Sequence, residues 1–200
     1  MPFLFVYRKI SGNPVNKIYR MASIDFTLKE WNLSDGDSLA RHADNIRIWI
    51  NLRDIFPHPY TPNDAAAFIS SVVAKPRPAV DFAIVVGGEA VGGIGLVLHR
   101  DVERIAAEIG YWLGESYWGK GIMTDAVKQM TEYAFDTFPL RKLYAPVFEY
   151  NIASMRVLEK AGFEKEAVLK KAAVKNGKII DLHYYGLIGT RPFAENEIVN

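Results

Sequence analysis

The chain has 200 residues, half of them hydrophobic and 12% aromatic, enough for one domain with a sizeable core. Twenty-four basic against 23 acidic residues leave a formal charge of +1, so nothing in the balance calls for a nucleic-acid or anionic-membrane partner. The lack of cysteine excludes a disulfide framework, a thiolate zinc site and a cysteine nucleophile.

Residues 1–22 are read as a lead-in, with Met21 an alternative start, because ordered-looking sequence begins near Phe26. The apolar run Pro2 to Tyr7 is too short for a signal-peptide core, and no run reaches the ~20 apolar residues of a membrane span, so the expectation is a cytoplasmic protein. "FTLKEWN" alternates from Phe26 to Asn32 and predicts a strand. Residues 33–54 show helical spacing, with Leu39, Ala43, Ile46 and Ile50 on one face and Ser34 or Asp37 as cap. "FPHPY" must break it. Thr61 then caps a new helix, with Pro62 in its first position and Asp64 near its positive end.

Two β-rich runs around Gly87-Gly88 predict a hairpin, and Ile105–Leu113 a third consecutive strand. A helix is expected over Thr124–Phe138, with Val127, Met130, Ala134 and Phe138 on one face. "KLYAPVFEY" reads as a strand in which Pro146 marks a bulge or an unpaired edge. Asn151 caps and Gly162 ends a short helix, and Asn176-Gly177 turns a final hairpin. Hairpins followed by a crossover helix give a mixed α+β architecture, a domain over 23–190 and a tail at 191–200.

Between the third strand and its helix lies "GESYWGKGIMTDAV". Gly114 to Lys120 match the first seven positions of a Walker A loop, but the eighth, which must be Ser or Thr to hold magnesium, is Gly121. No apolar strand ending in aspartate supplies a second metal ligand. A phosphate cradle of main-chain N–H groups, leading from Trp118, Gly119, Lys120 and Gly121 through Ile122 and Met123 into the helix at Thr124, needs no metal. An ordinary glycine-rich connection is the competing reading.

"AEIGYWLGESYWGKGIMTDAV", then "YAF", then "NIASMRVLEKAGF" closely resemble the GNAT acyl-CoA-dependent N-acetyltransferases, in particular the RimJ/RimL-like branch, over roughly residues 24–190. The resemblance implies the GNAT fold, with a V-shaped opening between the strands at 105–113 and 142–150. Acetyl-CoA would lie in that opening as co-substrate, its pantetheine arm along the backbone of Tyr111, Trp112 and Leu113. Its pyrophosphate would sit on the loop from Gly119 to Thr124. The usual loop, [QR]-x-x-G-x-[GA], has Trp118 and Met123 at its first and last places here. Asn151 matches a pantetheine-contacting Asn and is also an N-cap. The tyrosine that many members place seven residues later, to protonate the leaving thiolate, is Leu158 here; Ser154 matches the RimL-like alternative acid and equally suits a helix start.

The implied reaction is direct attack of a neutral amine on the thioester. A base must take its proton, because amines near pKa 8 to ~10.4 are mostly ammonium at neutral pH. Glu108, alternating with apolar neighbours near the cleft, is the candidate base, with a solvent-facing strand glutamate as the competing reading and Asp181 and His183 as alternatives. The glutamate of RimL-type members corresponds to Ala173. Backbone N–H groups around Leu113 would meet the oxyanion. Trp49, Arg53, Asp54, Phe56, His58 and Tyr60 are candidates for an acceptor rim, for either a protein N-terminus or a small amine, in a monomer or homodimer. Two rivals stand beside this reading: a GNAT-like domain that binds acyl-CoA without turnover, and, remotely, a P-loop nucleotide binder.

Overall fold

The strand expected at the start forms over Thr27–Glu30 (β1) in the computed structural model, which describes residues 24–190. The lead-in and tail therefore lie outside the described residues. The long helix expected over 33–54 is interrupted. Asn32, not Ser34 or Asp37, caps a 3-10 turn at Leu33–Asp35 in a reciprocal box with Asp35. That turn runs into α1, Gly36–Ala43. Asn45 then caps a separate short helix, α2, Ile46–Trp49, by accepting from the Arg47 amide. The second cap rotates Ile46 out of the shared stripe: Leu39 and Ala43 are buried, whereas Ile46 is exposed. Thr61 and Asp64 form the capping box of α3, Pro62–Val73, as their spacing requires.

Asp81–Val86 (β2) and Glu89–Leu98 (β3) make the expected hairpin, both glycines of its turn having positive φ. β4 spans Ala106–Leu113 and α4 spans Ile122–Thr137. β5 (Lys142–Phe148) and α5 (Ile152–Lys160) follow, then β6 (Glu164–Lys175) and β7 (Lys178–Ile188), which turn at Asn176-Gly177 with both residues at positive φ. The strands form one sheet in the order β1-β2-β3-β4-β5-β7-β6, antiparallel except between β4 and β5.

Strand alternation divides the core between the two faces. Ala83 and Val85 pack with Leu39, Ala65 and Ile69 beneath α1 and α3. Ile84, Ile109, Leu143 and Ala145 pack with Met130, Ala134 and Leu158 beneath α4 and α5. Each fully buried large side chain here is worth roughly 1.5–3 kcal/mol. The parallel pair is short: Ala106, Ala107 and Glu108 register with Lys142, Leu143 and Tyr144, and beyond them β4 and β5 separate. Pro146 lies past the last of these pairs, so the strand edge facing β4 asks no donor of it, while β7 covers the other edge.

Candidate active site

Where β4 and β5 part, a cleft of about 990 Å³ opens, large enough for a cofactor-sized ligand. Three structures converge on it: the free edge of β4, the start of α4 and the first turn of α5. Gly114 donates to Val91 of β3 at 2.7 Å. Because peptide groups alternate along a strand, the amides of Tyr111 and Leu113 face the other way, into the opening. The Leu113 carbonyl on that edge already accepts from the Trp118 indole at 2.7 Å, so Trp118 pins the loop to the end of the strand.

Gly119 and Gly121 hold φ of +72° and +83°. A Cβ at either would meet nothing within 4 Å, so backbone conformation and not crowding selects glycine. Gly121 is the N-cap of α4 and brings no side-chain cap, leaving the amides of Ile122, Met123 and Thr124 as the orphan donors of the helix start. Ile122 and Met123 both belong to the core cluster and also line the cleft. Lys120 is exposed, its ammonium 5.4 Å from the centre of the Tyr117 ring.

The side chain of Asn151 accepts from the Ser154 amide at 3.1 Å, so its capping role is occupied, and both residues line the cleft. The Ser154 hydroxyl lies 2.8 Å from the Tyr111 hydroxyl. Burial pushes the Tyr111 phenol up, keeping it protonated. Leu158 is wholly buried, whereas Tyr111 brings a phenol to Ser154 from the opposite wall. Sequence reasoning named Tyr111 only for its backbone; the direction of its side chain toward α5 depends on the packing of the two elements.

Glu108 faces the cleft with both carboxylate oxygens accepting from Arg53, at 2.7 and 2.8 Å. It is thus neither a free carboxylate nor a purely solvent-facing one. Its register partner on β5 is Tyr144, whose phenol is shifted upward by burial and then by the Glu108 charge, and whose hydroxyl lies 2.8 Å from His99 Nε2. The alternatives sit elsewhere. Leu182 and Tyr184 line the cleft, so Asp181 and His183 point to the opposite side of β7. The ammonium of Lys170 and the amide of Lys171 bind Asp181 and hold its carboxyl below the usual range. Burial lowers the His183 imidazole, and its Nδ1 has no partner. Ala173 lines the cleft.

The expected acceptor rim divides. Tyr60 belongs to the core, with Phe56 tilted against it and edge-on to Trp112 at centroid distances of 4.7 and 5.9 Å. His58 approaches Asp44 and the Trp49 ring. Asp54 accepts from Lys175 at 2.7 Å, and this lysine, 3.7 Å from the centre of the Trp49 ring, has a side chain only 1% exposed. Lys175 clamps the tip of the β6–β7 hairpin onto the segment after α2. Tyr150 adds a second tie by donating to the Ile50 carbonyl at 2.6 Å. Nothing local in the sequence marks Lys175, which reads as an ordinary lysine before a turn. Among the described residues no group of three or more His, Asp or Glu side chains is arranged to hold a metal, and no helix is long and apolar enough to cross a membrane.

A family model described as an acetyltransferase (GNAT) domain matches residues 25–164. The chain is 29% identical over 166 residues to an uncharacterized N-acetyltransferase p20 of Bacillus licheniformis, covering 81% of this chain and 92% of that protein. It is 32% identical over 97 residues to the ribosomal-protein-serine acetyltransferase of Escherichia coli, covering 48% of this chain and 54% of that protein. Among solved structures, RimL, a ribosomal L7/L12 alpha-N-protein acetyltransferase in complex with coenzyme A, superposes with a TM-score of 0.71 at 24% identity, over 82% of this chain and 93% of that one.

Proposed function

The chain belongs to the GNAT acetyltransferase family, and from that premise we propose that it moves the acetyl group of acetyl-CoA directly onto a primary amine. The observation that carries this reading is the split between β4 and β5, with two left-handed glycines and the uncapped start of α4 at its mouth. The orphan amides of Ile122, Met123 and Thr124 suit a pyrophosphate without metal. The inward amides of Tyr111 and Leu113 suit the amide-bearing arm of the carrier and, at its reacting end, an oxyanion. This site replaces the Walker reading, for which Gly121 offers no hydroxyl.

In the reaction, the amine nitrogen bonds to the acetyl carbon, the carbon–sulfur bond breaks, one proton leaves nitrogen and the thiolate gains one. Glu108 is the base for the first proton, with Arg53 holding its carboxylate in place and yielding part of that bond when the ammonium arrives. Ser154 gives its proton to the sulfur and is reprotonated from water as Glu108 returns the amine's proton to solvent, while the Tyr111 hydroxyl, 2.8 Å away, holds the serine in place.

A domain that binds acyl-CoA without turnover is the second reading, favoured by the full occupation of Glu108 by Arg53. Thermal denaturation with acetyl-CoA, combined with release of free CoA across an amine panel, separates the two. Stabilisation plus amine-dependent CoA release supports the transferase. Stabilisation with no release under any amine supports the binding domain. No stabilisation removes both, since a ligand at a hundredfold excess over its Kd adds about 2.7 kcal/mol.

A further inference from the structure

On the face of the sheet that carries α1 and α3, one row has glycine on two adjacent strands. Asp81, Gly95 and Gly110 are cross-strand neighbours on β2, β3 and β4. The rows on either side are filled. In one, Gly93 pairs with Trp112, whose indole lies 2.8 Å from where a Gly93 Cβ would stand. In the other, Val97 pairs with Glu108. Same-face rows are about 7 Å apart, so dropping the middle one leaves a slot one side chain wide, floored by backbone. The slot belongs to the cleft, and Phe56 stands beside Trp112 on its wall.

The two glycines are there for different reasons. A Cβ at Gly95 would come within 2.5 Å of the Asp81 carboxylate and 3.1 Å of the Val80 carbonyl, so a side chain there would displace the carboxylate that now covers it. A Cβ at Gly110 would meet nothing within 4 Å, and its backbone is not left-handed. Neither crowding nor conformation explains Gly110, whereas an empty slot does. At the far end the Asp81 carboxylate leans over Gly95, one oxygen held by Lys75 at 2.6 Å and the other directed at the floor.

We propose that this slot is the acceptor subsite and that it takes an unbranched terminal diamine. The reacting amine lies at Glu108, the methylene chain crosses Gly110 against Phe56 and Trp112, and the second ammonium meets the Asp81 carboxylate where it covers Gly95. Gly95 is one strand spacing, about 5 Å, across from Gly110, and Glu108 stands about 7 Å along β4 from Gly110, so the two ends are about 8 Å apart, the reach of a linear diamine. A branch beside the amine, as in every peptide α-amine except glycine's, runs into Trp112 or Glu108. The inference rests on the acetyl-transfer reading. Its products are the mono-N-acetyl diamine and free CoA.

The test uses the full chain with acetyl-CoA and three acceptors: 1,5-diaminopentane, n-pentylamine and an alanyl peptide. The diamine is expected to show a kcat/KM at least tenfold above the peptide. Gly110→Leu should raise the diamine KM tenfold or more and Gly110→Ala by less, both with the acetyl-CoA thermal shift intact. Asp81→Asn should erase the advantage of the diamine over pentylamine. A preferred peptide, an unchanged diamine KM in Gly110→Leu, or no turnover of the diamine overturns the slot assignment while the acetyl-CoA shift stands. Loss of that shift in the unaltered protein overturns the acetyl-transfer reading itself.

Discussion

The hydroxyl of Tyr111, on β4, and the hydroxyl of Ser154, in the first turn of α5, lie 2.8 Å apart at the base of the cleft. Either hydroxyl can donate in this pair; with Tyr111 as the donor, the serine's own proton is free for the sulfur. Ser154→Ala is therefore expected to lower kcat about 100-fold with the KM for acetyl-CoA changed less than threefold. Tyr111→Phe should lower kcat by about tenfold and add little to Ser154→Ala, because the two act as one unit. Multiplicative losses in the double variant would show that they act separately.

Glu108 and Arg53 make opposite predictions for the pH profile. Glu108→Gln removes the proton acceptor and should cost about 100-fold in kcat/KM near neutral pH, the loss shrinking as pH rises and the amine deprotonates unaided. Arg53→Ala leaves the carboxylate but unfixes it, so a loss of about tenfold with the alkaline limb retained is expected. A Glu108→Gln enzyme with the unaltered profile would remove Glu108 from the base role.

Gly121 carries a left-handed backbone at the start of α4. Gly121→Ala should cost about 1–2 kcal/mol in folding stability, the strain of that conformation for an L-residue. It should also weaken acetyl-CoA, since any relaxation turns the amides of Ile122 to Thr124 away. Comparing urea midpoints and acetyl-CoA titrations separates the effects; unaltered affinity in the folded variant would place the pyrophosphate elsewhere.

His183 gives a stability prediction. Burial lowers its pKa in the folded chain, so between the folded value and the unfolded value near 6.5 the unfolded chain binds more protons, and stability falls as pH drops through that window. Lys165 and Lys170 reinforce the shift, while Asp181 and Glu149 oppose it. In His183→Phe the urea midpoint should change less between pH 7 and pH 5.5 than in the parent protein. An equal change in both would mean that other groups carry the acid sensitivity.

Patterns confined to a few neighbouring residues were legible in the chain itself. The Thr61–Asp64 box, the Gly87-Gly88 and Asn176-Gly177 turns and the Asn151 cap depend on one backbone conformation and one or two short side chains. Residues 33–54 misled for the same reason: the hydrophobic spacing of a helix persists across Asn45, but a second asparagine cap restarts the chain at a new angle, and only Asp44 reaching the Tyr60 amide shows what that bend serves.

The sequence by itself determined the glycine loop and the order of the elements, because turns, caps and helix starts need only a few residues at short spacing, and the resemblance to the GNAT family lay in the blocks at 107–127 and 151–163. The tertiary structure decided which side chains meet. Arg53 reaches Glu108 across 55 positions, Lys175 reaches Asp54 across 121, and Tyr111 reaches Ser154 across 43. Such pairs carry no periodicity, since each depends on how far β4 and β5 part and on which face of the sheet each strand residue falls. The slot over Gly110 is of the same kind: a glycine in a strand looks like a weak strand former until its neighbours on β2 and β3 are known.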